Sequence, residues 1–354
     1  MTTPPDRVIT VTGEISPSEM GVTLIHEHIL VDASRWWRGP DSGASERVAM
    51  GPVDASIIGE LRMDPFANLD NCVLDDAVVA AEELSQVRDL GGRTVVDASG
   101  PGNGRDPHAL RQISEATGLQ IVMGSGFYLD GSHPTRLNGM SVDDIADEIT
   151  RDATEGVGDS GVRSGTIGEI GVSAEFSPTE RKSLRGAARA QRRTGLPLSV
   201  HMPGWLRRAD EVLDIVSDEG ADLNHTILCH SNPSGADFDY QAGIAERGAF
   251  IEYDMVGMDF YYADQDAQSP CDEENAIHAW EEALKRDPFN ARYVRSLLER
   301  YRTLADQENV KRLRTPLAGW SPRASVSHRA RGHGAPGVAR SGVTGSRIRT
   351  RRCG

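Results

Sequence analysis

The sequence predicts an α/β fold, a (β/α)8 barrel of parallel strands, from three observations. Short apolar runs alternate with segments of helical pattern, capping residues stand at the ends of those segments, and polar residues fall where several runs end. Strand, helix and strand in repetition imply parallel strands with crossover helices. A doubly wound open sheet is the alternative, but no GxGxxG follows an early strand to favour it.

Seven apolar runs are predicted as strands because each is rich in β-branched residues and too short for a helix. They are GVTLIHEH (21–28), RTVVDAS (93–99), QIVMGSGFY (120–128), GTIGEIG (165–171), PLSVHMP (197–203), HTILCHS (225–231) and AFIEYDM (249–255). An eighth strand is not recognisable, so the barrel is expected to be incomplete.

The segments between the runs carry helix start and stop signals. The Asp-Pro pair at 106–107 is an N-cap with proline at the first helical position, and Gly118 ends that helix. The stretch SPTE at 177–180 is a capping box, with Gly195 as its stop, and Gly220 ends a further helix. These signals place helices between successive strands.

Composition narrows the class of protein. The 354 residues have 38% hydrophobic content and a net charge of −15, which argues against a nucleic-acid surface on the main body. No apolar run reaches membrane-spanning length, and the start lacks a signal-peptide pattern. The four scattered cysteines form no CxxC, so we expect no disulfide framework and a cytoplasmic location.

Metal-ligating residue types end four of the predicted strands. His26 and His28 end the first, Glu169 lies in the fourth, and His201 and His230 end the fifth and sixth. A single histidine at a strand end is usually structural. Barrel chemistry, however, sits at the carboxyl ends of the strands, and five such groups buried together would be costly without a cation. Five ligands exceed one tetrahedral zinc site, so we predict two divalent ions that share a carboxylate.

The sequence resembles the phosphotriesterase-like family of the amidohydrolase superfamily over about residues 8–275. The resemblance is carried by HEHI (26–29), VVDASGPGNGRDPHAL (95–110), IVMGSGFYL (121–129), IGEIGVS (167–173), TGLPLSVH (194–201) and CHSN (229–232).

This resemblance implies a (β/α)8 barrel with a binuclear centre, zinc being the first choice of metal. His26 and His28 would hold the more buried ion, and His201 and His230 the more exposed one. Glu169 stands where some members carry a carbamylated lysine, which indicates the branch that bridges its metals with glutamate.

The implied reaction is hydrolysis, in which a metal-bridging hydroxide attacks an ester, lactone, amide or phosphoester. Tyr128 matches a family position at the pocket mouth, with an ordinary packing tyrosine as the alternative. Trp36 and Trp37 either line a pocket or are buried against the barrel mouth. We expect a small-molecule substrate and no nucleic-acid or membrane partner, and leave a homodimer open.

The carboxyl-terminal part departs from the family pattern. The family's last strand should end in an SxD-like aspartate that ligates metal and accepts a proton, yet none is found, and Asp287 and Asp306 are poor substitutes. We therefore divide the chain into a barrel (1–279), a helical segment (280–315) and an Arg/Gly/Ser/Pro-rich tail (316–354) expected to be disordered.

The departure resembles a shifted reading frame or a fused, unrelated end. It opens a rival hypothesis: a catalytically impaired, metal-binding barrel of low stability. Nucleic-acid binding through the arginines of the tail is a third hypothesis, which salt-dependent binding lost on truncation at residue 320 would support.

Overall fold

The computed structural model describes residues 7–40, 46–235 and 237–255. Its strands are β1 (Val8–Thr10), β2 (Gly13–Ile15), β3 (Val22–Glu27), β4 (Val31–Asp32), β5 (Val73–Leu74), β6 (Gly92–Asp97), β7 (Gln120–Met123), β8 (Ile167–Gly171), β9 (Leu198–His201), β10 (Thr226–Leu228) and β11 (Phe250–Ile251). Its α-helices are α1 (Glu46–Met50), α2 (Ile58–Met63), α3 (Ala77–Asp89), α4 (Pro107–Thr117), α5 (Val142–Thr154), α6 (Pro178–Thr194), α7 (Ala209–Asp218) and α8 (Phe238–Glu246).

The predicted parallel arrangement of strands and helices is confirmed. Strands β3, β6 and β7 form one parallel sheet, and β8 to β11 form another in chain order. The two sheets are joined where the Gly168 N–H donates to the Ser125 carbonyl at 2.6 Å and the Glu169 N–H donates to the Ala98 carbonyl at 3.1 Å. Each of the seven predicted runs overlaps one of these strands, and β6 begins one residue before its run.

The fold is that of a (β/α)8-type barrel without closure in the described part of the chain. There, β3 pairs only with β6 and β11 only with β10, so these two strands are its edges. The region to which the prediction of an unrecognisable eighth strand applies lies outside the described residues. The predicted segments at 280–315 and 316–354 lie outside them as well.

The predicted caps are formed. Asp106 accepts hydrogen bonds from the amides of residues 108 and 109 at the start of α4, and Gly118 ends that helix at φ 72°. Ser177 and Glu180 form the capping box of α6, and Gly195 ends it at φ 74°. A left-handed φ is accessible to glycine because it has no Cβ, which explains the glycine at both helix ends.

Helices cover the outer face of the strands. Helix α6 buries Leu184, Ala187 and Ala188 in the same cluster as Leu198 and Val200 of β9. This apolar packing fixes the strand ends on which the polar residues sit.

Two small additions were not predicted. The antiparallel β1–β2 hairpin contacts β7 through the Val11 N–H, which donates to the Ile121 carbonyl at 2.9 Å. Between β3 and β6, the β4–β5 pair encloses a cluster of Val31, Ala33 and Cys72, against which Trp36 and Trp37 pack.

None of the helices within the described ranges has both the length and the apolar character needed to cross a membrane. Cys72 and Cys229 are buried and form no disulfide with each other, and Cys271 and Cys353 lie outside the described residues.

Candidate metal centre

The five residues predicted as metal ligands come together at the carboxyl ends of the strands. His26 lies in β3 and His28 one residue after it, Glu169 lies in β8, His201 ends β9, and His230 follows β10 by two residues. Their side chains are 1–20% exposed. Residues up to about 200 positions apart in the sequence thus come together in one small polar cluster.

Glu169 is the centre of this cluster. Its Oε2 lies 3.4 Å from His26 Nε2, 3.0 Å from His201 Nδ1 and 3.2 Å from His230 Nε2. Its Oε1 lies 3.3 Å from His28 Nε2. Two sets of atoms could each hold a metal ion, one from His26, His28 and Glu169 and the other from Glu169, His201 and His230, and the glutamate is common to both.

The ring nitrogens that face away from Glu169 have partners of their own. His28 Nδ1 lies 3.0 Å from Ser99 Oγ, and the Tyr128 hydroxyl lies 3.4 Å from His201 Nε2. The Tyr128 ring also contacts the Trp36 ring, at 5.6 Å between centroids. Tyr128 therefore lies beside the cluster, and Trp36 both packs in the β4–β5 cluster and reaches this tyrosine.

Two acidic residues at the end of β11 contact the other two histidines. His230 Nδ1 lies 3.0 Å from Asp254 Oδ2, and His26 Nδ1 lies 3.4 Å from Glu252 Oε1. The buried Cys229 thiol donates to Glu252 Oε2 at 3.1 Å. Sequence reasoning missed these residues, although IEYD repeats the i, i+2 pattern of HEH and so places both acids on one face of a strand end.

The electrostatics of the site are set by burial and by close opposite charges. Burial favours neutral imidazole, but hydrogen bonds to Asp254 and Glu169 outweigh it and raise the pKa of His230 to about 9. Burial also disfavours a charged His26, but the negative charge of Glu169 outweighs this effect and raises the pKa of His26. The pKa of Glu169 itself is held well below its usual range by His201 and His26, against the effect of burial.

The donor set fits divalent metal. A divalent ion bound by imidazole nitrogen would balance the charge of the buried carboxylates, and it would take the place of a proton on that nitrogen. His26 Nε2 is buried and makes no hydrogen bond of acceptable geometry within the described chain, so this nitrogen is free to bind a cation. Imidazole nitrogen with carboxylate oxygen suits zinc and similar ions.

The loop after β6 is shaped by close backbone approach beside the site. A Cβ on Gly102 would lie 2.0 Å from the Ser132 carbonyl oxygen, and one on Gly104 would lie 2.6 Å from the Asp32 nitrogen, both at φ 101°. Buried Asp97, at the end of β6, accepts hydrogen bonds from the amides of Ile29 at 2.8 Å and Ser99 at 3.0 Å. The glycine-rich stretch and Asp97 thus fix the backbone that carries His28 and its partner.

An α/β barrel-type fold with histidines and a shared carboxylate at its strand ends defines the class of metal-dependent hydrolases. The Phosphotriesterase family model matches residues 6–271. The chain belongs to the phosphotriesterase family, as the sequence motifs predicted.

Curated relatives are named as hydrolases or as family members. An N-acetyltaurine hydrolase of Danio rerio is 32% identical over 255 residues, which are 72% of each chain. A phosphotriesterase-related protein of Nematostella vectensis is 30% identical over 269 residues, 74% of this chain and 77% of the relative. The prediction of a metal-dependent hydrolase is confirmed at this level.

Solved structures share the fold. The resiniferatoxin-binding protein of Rhodobacter sphaeroides superposes with a TM-score of 0.73 and 45% identity over 91% of this chain and 92% of that one. The phosphotriesterase homology protein of Escherichia coli, solved with phosphate in its active site, gives a TM-score of 0.57 at 22% identity over 86% and 94% of the two chains. This second likeness bears on the fold alone.

Proposed function

We propose that this protein is a binuclear-metal hydrolase in which Glu169 bridges two divalent ions, with Zn²⁺ as the first candidate. His26 and His28 complete one half of the centre, and His201 and His230 complete the other. The observation that carries the proposal is the position of Glu169, whose two oxygens lie within 3.0–3.4 Å of a ring nitrogen from every one of the four histidines.

The bound ions would supply an activated water and polarise the oxygen of the bond to be cleaved. The chain's residues have separate tasks. Glu169 keeps the two halves adjacent without a modified lysine, and its low pKa keeps it ionised at neutral pH. Tyr128, with its hydroxyl 3.4 Å from His201 Nε2, is placed to contact a substrate at the mouth of the site.

We propose an N-acyl amide as the first substrate class to test, because several similar relatives are named N-acetyltaurine hydrolase. Esters, lactones and phosphoesters stay as the other classes that the same chemistry would serve. Each has an electrophilic carbon or phosphorus whose oxygen takes up negative charge on attack, which is the charge that a metal centre stabilises.

The test is a hydrolysis screen of metal-loaded protein with N-acetyltaurine, an aryl ester, a lactone and a phosphotriester. We expect turnover of at least one class and about two ions per chain by elemental analysis. Glu169→Gln should lose both, whereas Glu175→Gln, an exposed site nearby, should keep both. Wild-type protein prepared without chelator that holds no divalent metal would refute the proposal.

A second candidate is a barrel that binds metal but turns over slowly. It is favoured by the family match, which ends at residue 271 while the family's strand-end aspartate is not found in the sequence. Two bound ions with no hydrolysis of any of the four substrate classes would select this candidate. Robust turnover would eliminate it.

The division into a barrel (1–279), a helical segment (280–315) and a tail (316–354) stays a proposal, as do a cytoplasmic location and the absence of a nucleic-acid partner. Limited proteolysis with mass spectrometry tests the first, since cleavage should begin beyond residue 279. Sedimentation equilibrium would decide between a monomer and the homodimer left open above.

A further inference from the structure

Glu252 and Asp254 are buried acids that the proposed metal centre does not use. Their side chains are 3% and 6% exposed, and the two residues lie one and three positions after the end of β11. Glu252 Oε1 and Asp254 Oδ1 have no hydrogen-bond partner among the described residues. Carboxyl groups are rarely buried in this way without a compensating structural or functional role.

Asp254 holds His230 at two points. Its Oδ2 accepts from the His230 backbone N–H at 2.9 Å and lies 3.0 Å from His230 Nδ1. The His230 backbone has φ 60°, a left-handed conformation that a residue with a Cβ adopts only when its surroundings enforce it. With Nδ1 turned to Asp254, Nε2 is the nitrogen that faces Glu169.

Glu252 contacts the other half of the centre. Its Oε1 lies 3.4 Å from His26 Nδ1, while its Oε2 accepts from the Cys229 thiol. Asp254 Oδ2 is the more distant partner of the same His26 nitrogen, at 3.6 Å. Here too the contact at Nδ1 leaves Nε2 facing Glu169, at 3.4 Å.

We propose that Glu252 and Asp254 are positioning residues, each dedicated to one half of the binuclear centre: Asp254 to the half that contains His230, and Glu252 to the half that contains His26. A carboxylate held close to one ring nitrogen fixes the tautomer and orientation of the imidazole and makes the other nitrogen a stronger metal ligand. The inference rests on the proposed function, since it presupposes two metal ions.

The same atoms could instead form a third metal site, because His26, Cys229, Glu252 and Asp254 offer ligand atoms within 4.8 Å of one another. Two observations favour positioning. The Cys229 S–H donates a hydrogen bond to Glu252, as a thiol does, whereas a metal ligand would be a thiolate. A metal ion at this third site would be bound by His26 Nδ1. His26 would then either turn Nε2 away from the binuclear centre or bind metal through both ring nitrogens.

The experiment measures the two stepwise metal affinities separately, by competition of Zn²⁺ against a chromophoric chelator, in wild type, Asp254→Asn and Glu252→Gln. The matched control is Asp239→Asn, an exposed aspartate in the first turn of α8. Mn²⁺-loaded samples give a second readout, since two adjacent Mn²⁺ ions show an exchange-coupled electron paramagnetic resonance spectrum that a single ion lacks.

We expect Asp254→Asn to lower the affinity for one ion by about 10–100-fold and Glu252→Gln to lower the affinity for the other ion by a similar factor. To assign the halves, each change is repeated with His201→Ala, which leaves the half with His26 and His28. In that background Glu252→Gln should still weaken the remaining ion strongly, and Asp254→Asn should have a much smaller effect. Thermal unfolding of each metal-free variant identifies any that do not fold, and the conservative Asp254→Glu would then replace Asp254→Asn.

Unchanged stepwise affinities in both folded variants would overturn the inference while the proposed function stood. A third tightly bound ion in wild type that Cys229→Ala removes would overturn it in favour of a metal site. Wild type that binds no ion at all would instead refute the proposed function.

Discussion

Replacing Glu180 tests whether the loops that carry the site depend on one buried carboxylate. Glu180 is fully buried, and its Oε2 accepts from the Ser173 N–H at 3.2 Å, the Ser173 hydroxyl at 2.8 Å and the Ser177 N–H at 3.0 Å. Its Oε1 accepts from the Asp130 N–H at 3.0 Å. One side chain thus joins the start of α6 to the loops that follow β7 and β8.

The size of the effect follows from these four hydrogen bonds. In Glu180→Gln, the amide oxygen can replace Oε2, but the NH₂ group then faces the Asp130 N–H, so two donors at this partly buried position lack an acceptor. A buried unsatisfied donor costs about 1–3 kcal/mol, so we expect a loss of about 2–4 kcal/mol in the free energy of unfolding. Glu180→Ala, which removes every acceptor, should lose about 4–6 kcal/mol.

The assay is urea unfolding followed by circular dichroism, with Glu175→Gln as the control because Glu175 lies in the same loop and is exposed. The control should stay within about 0.5 kcal/mol of wild type. If Glu180→Gln unfolds at the same urea concentration as Glu175→Gln, the hydrogen-bond reasoning is wrong. Since the β7 loop carries Tyr128, the Glu180 variants should also raise KM more than the control does.

Three further predictions follow from the site and the surface. Replacing His26 and His28 together by alanine should leave one ion per chain in elemental analysis, and two retained ions would contradict the assignment of ligands. Metal reconstitution should proceed equally with and without bicarbonate, since Glu169 needs no carbamylation; strong dependence would mean that a lysine carbamate bridges instead. Glu219→Gln should lower the free energy of unfolding by about 1 kcal/mol at pH 7, because two arginines of α6 donate to this carboxylate. Burial would raise the pKa of Glu219, but the hydrogen bonds from the two arginines outweigh burial and lower it. The stabilisation that Glu219 contributes is therefore present above the unfolded pKa of about 4.3, and it is lost as the pH falls through the lower pKa of the folded state. Urea titrations at pH 7 and pH 3 should therefore show a smaller difference between wild type and variant at pH 3, and an equal difference would refute the linkage.

The order of strands and helices could be predicted because their signals are local. Proline after Asp106, the capping box at Ser177 and glycine at 118 and 195 act within one helical turn, and the structure contains all of them. The β1–β2 hairpin was missed because its strands have three residues each and carry little pattern.

The clustering of the five predicted site residues also followed from sequence, since parallel strands in one sheet put their carboxyl ends at one edge. Sequence alone could not say which ring nitrogen each histidine turns toward Glu169. That choice depends on groups from distant segments: Ser99 beside His28, and Asp254 beside His230.

The sequence by itself determined the α/β architecture, the family and the set of candidate ligands, because these depend on residue type and spacing. Only the tertiary structure decided that one carboxylate, Glu169, contacts all four histidines, and that Glu252 and Asp254 lie behind two of them. These contacts join residues up to 228 positions apart in the chain, from His26 to Asp254. The packing of helices on strands that sets such distances to a few tenths of an ångström is a cooperative property of the whole core, which no local pattern encodes.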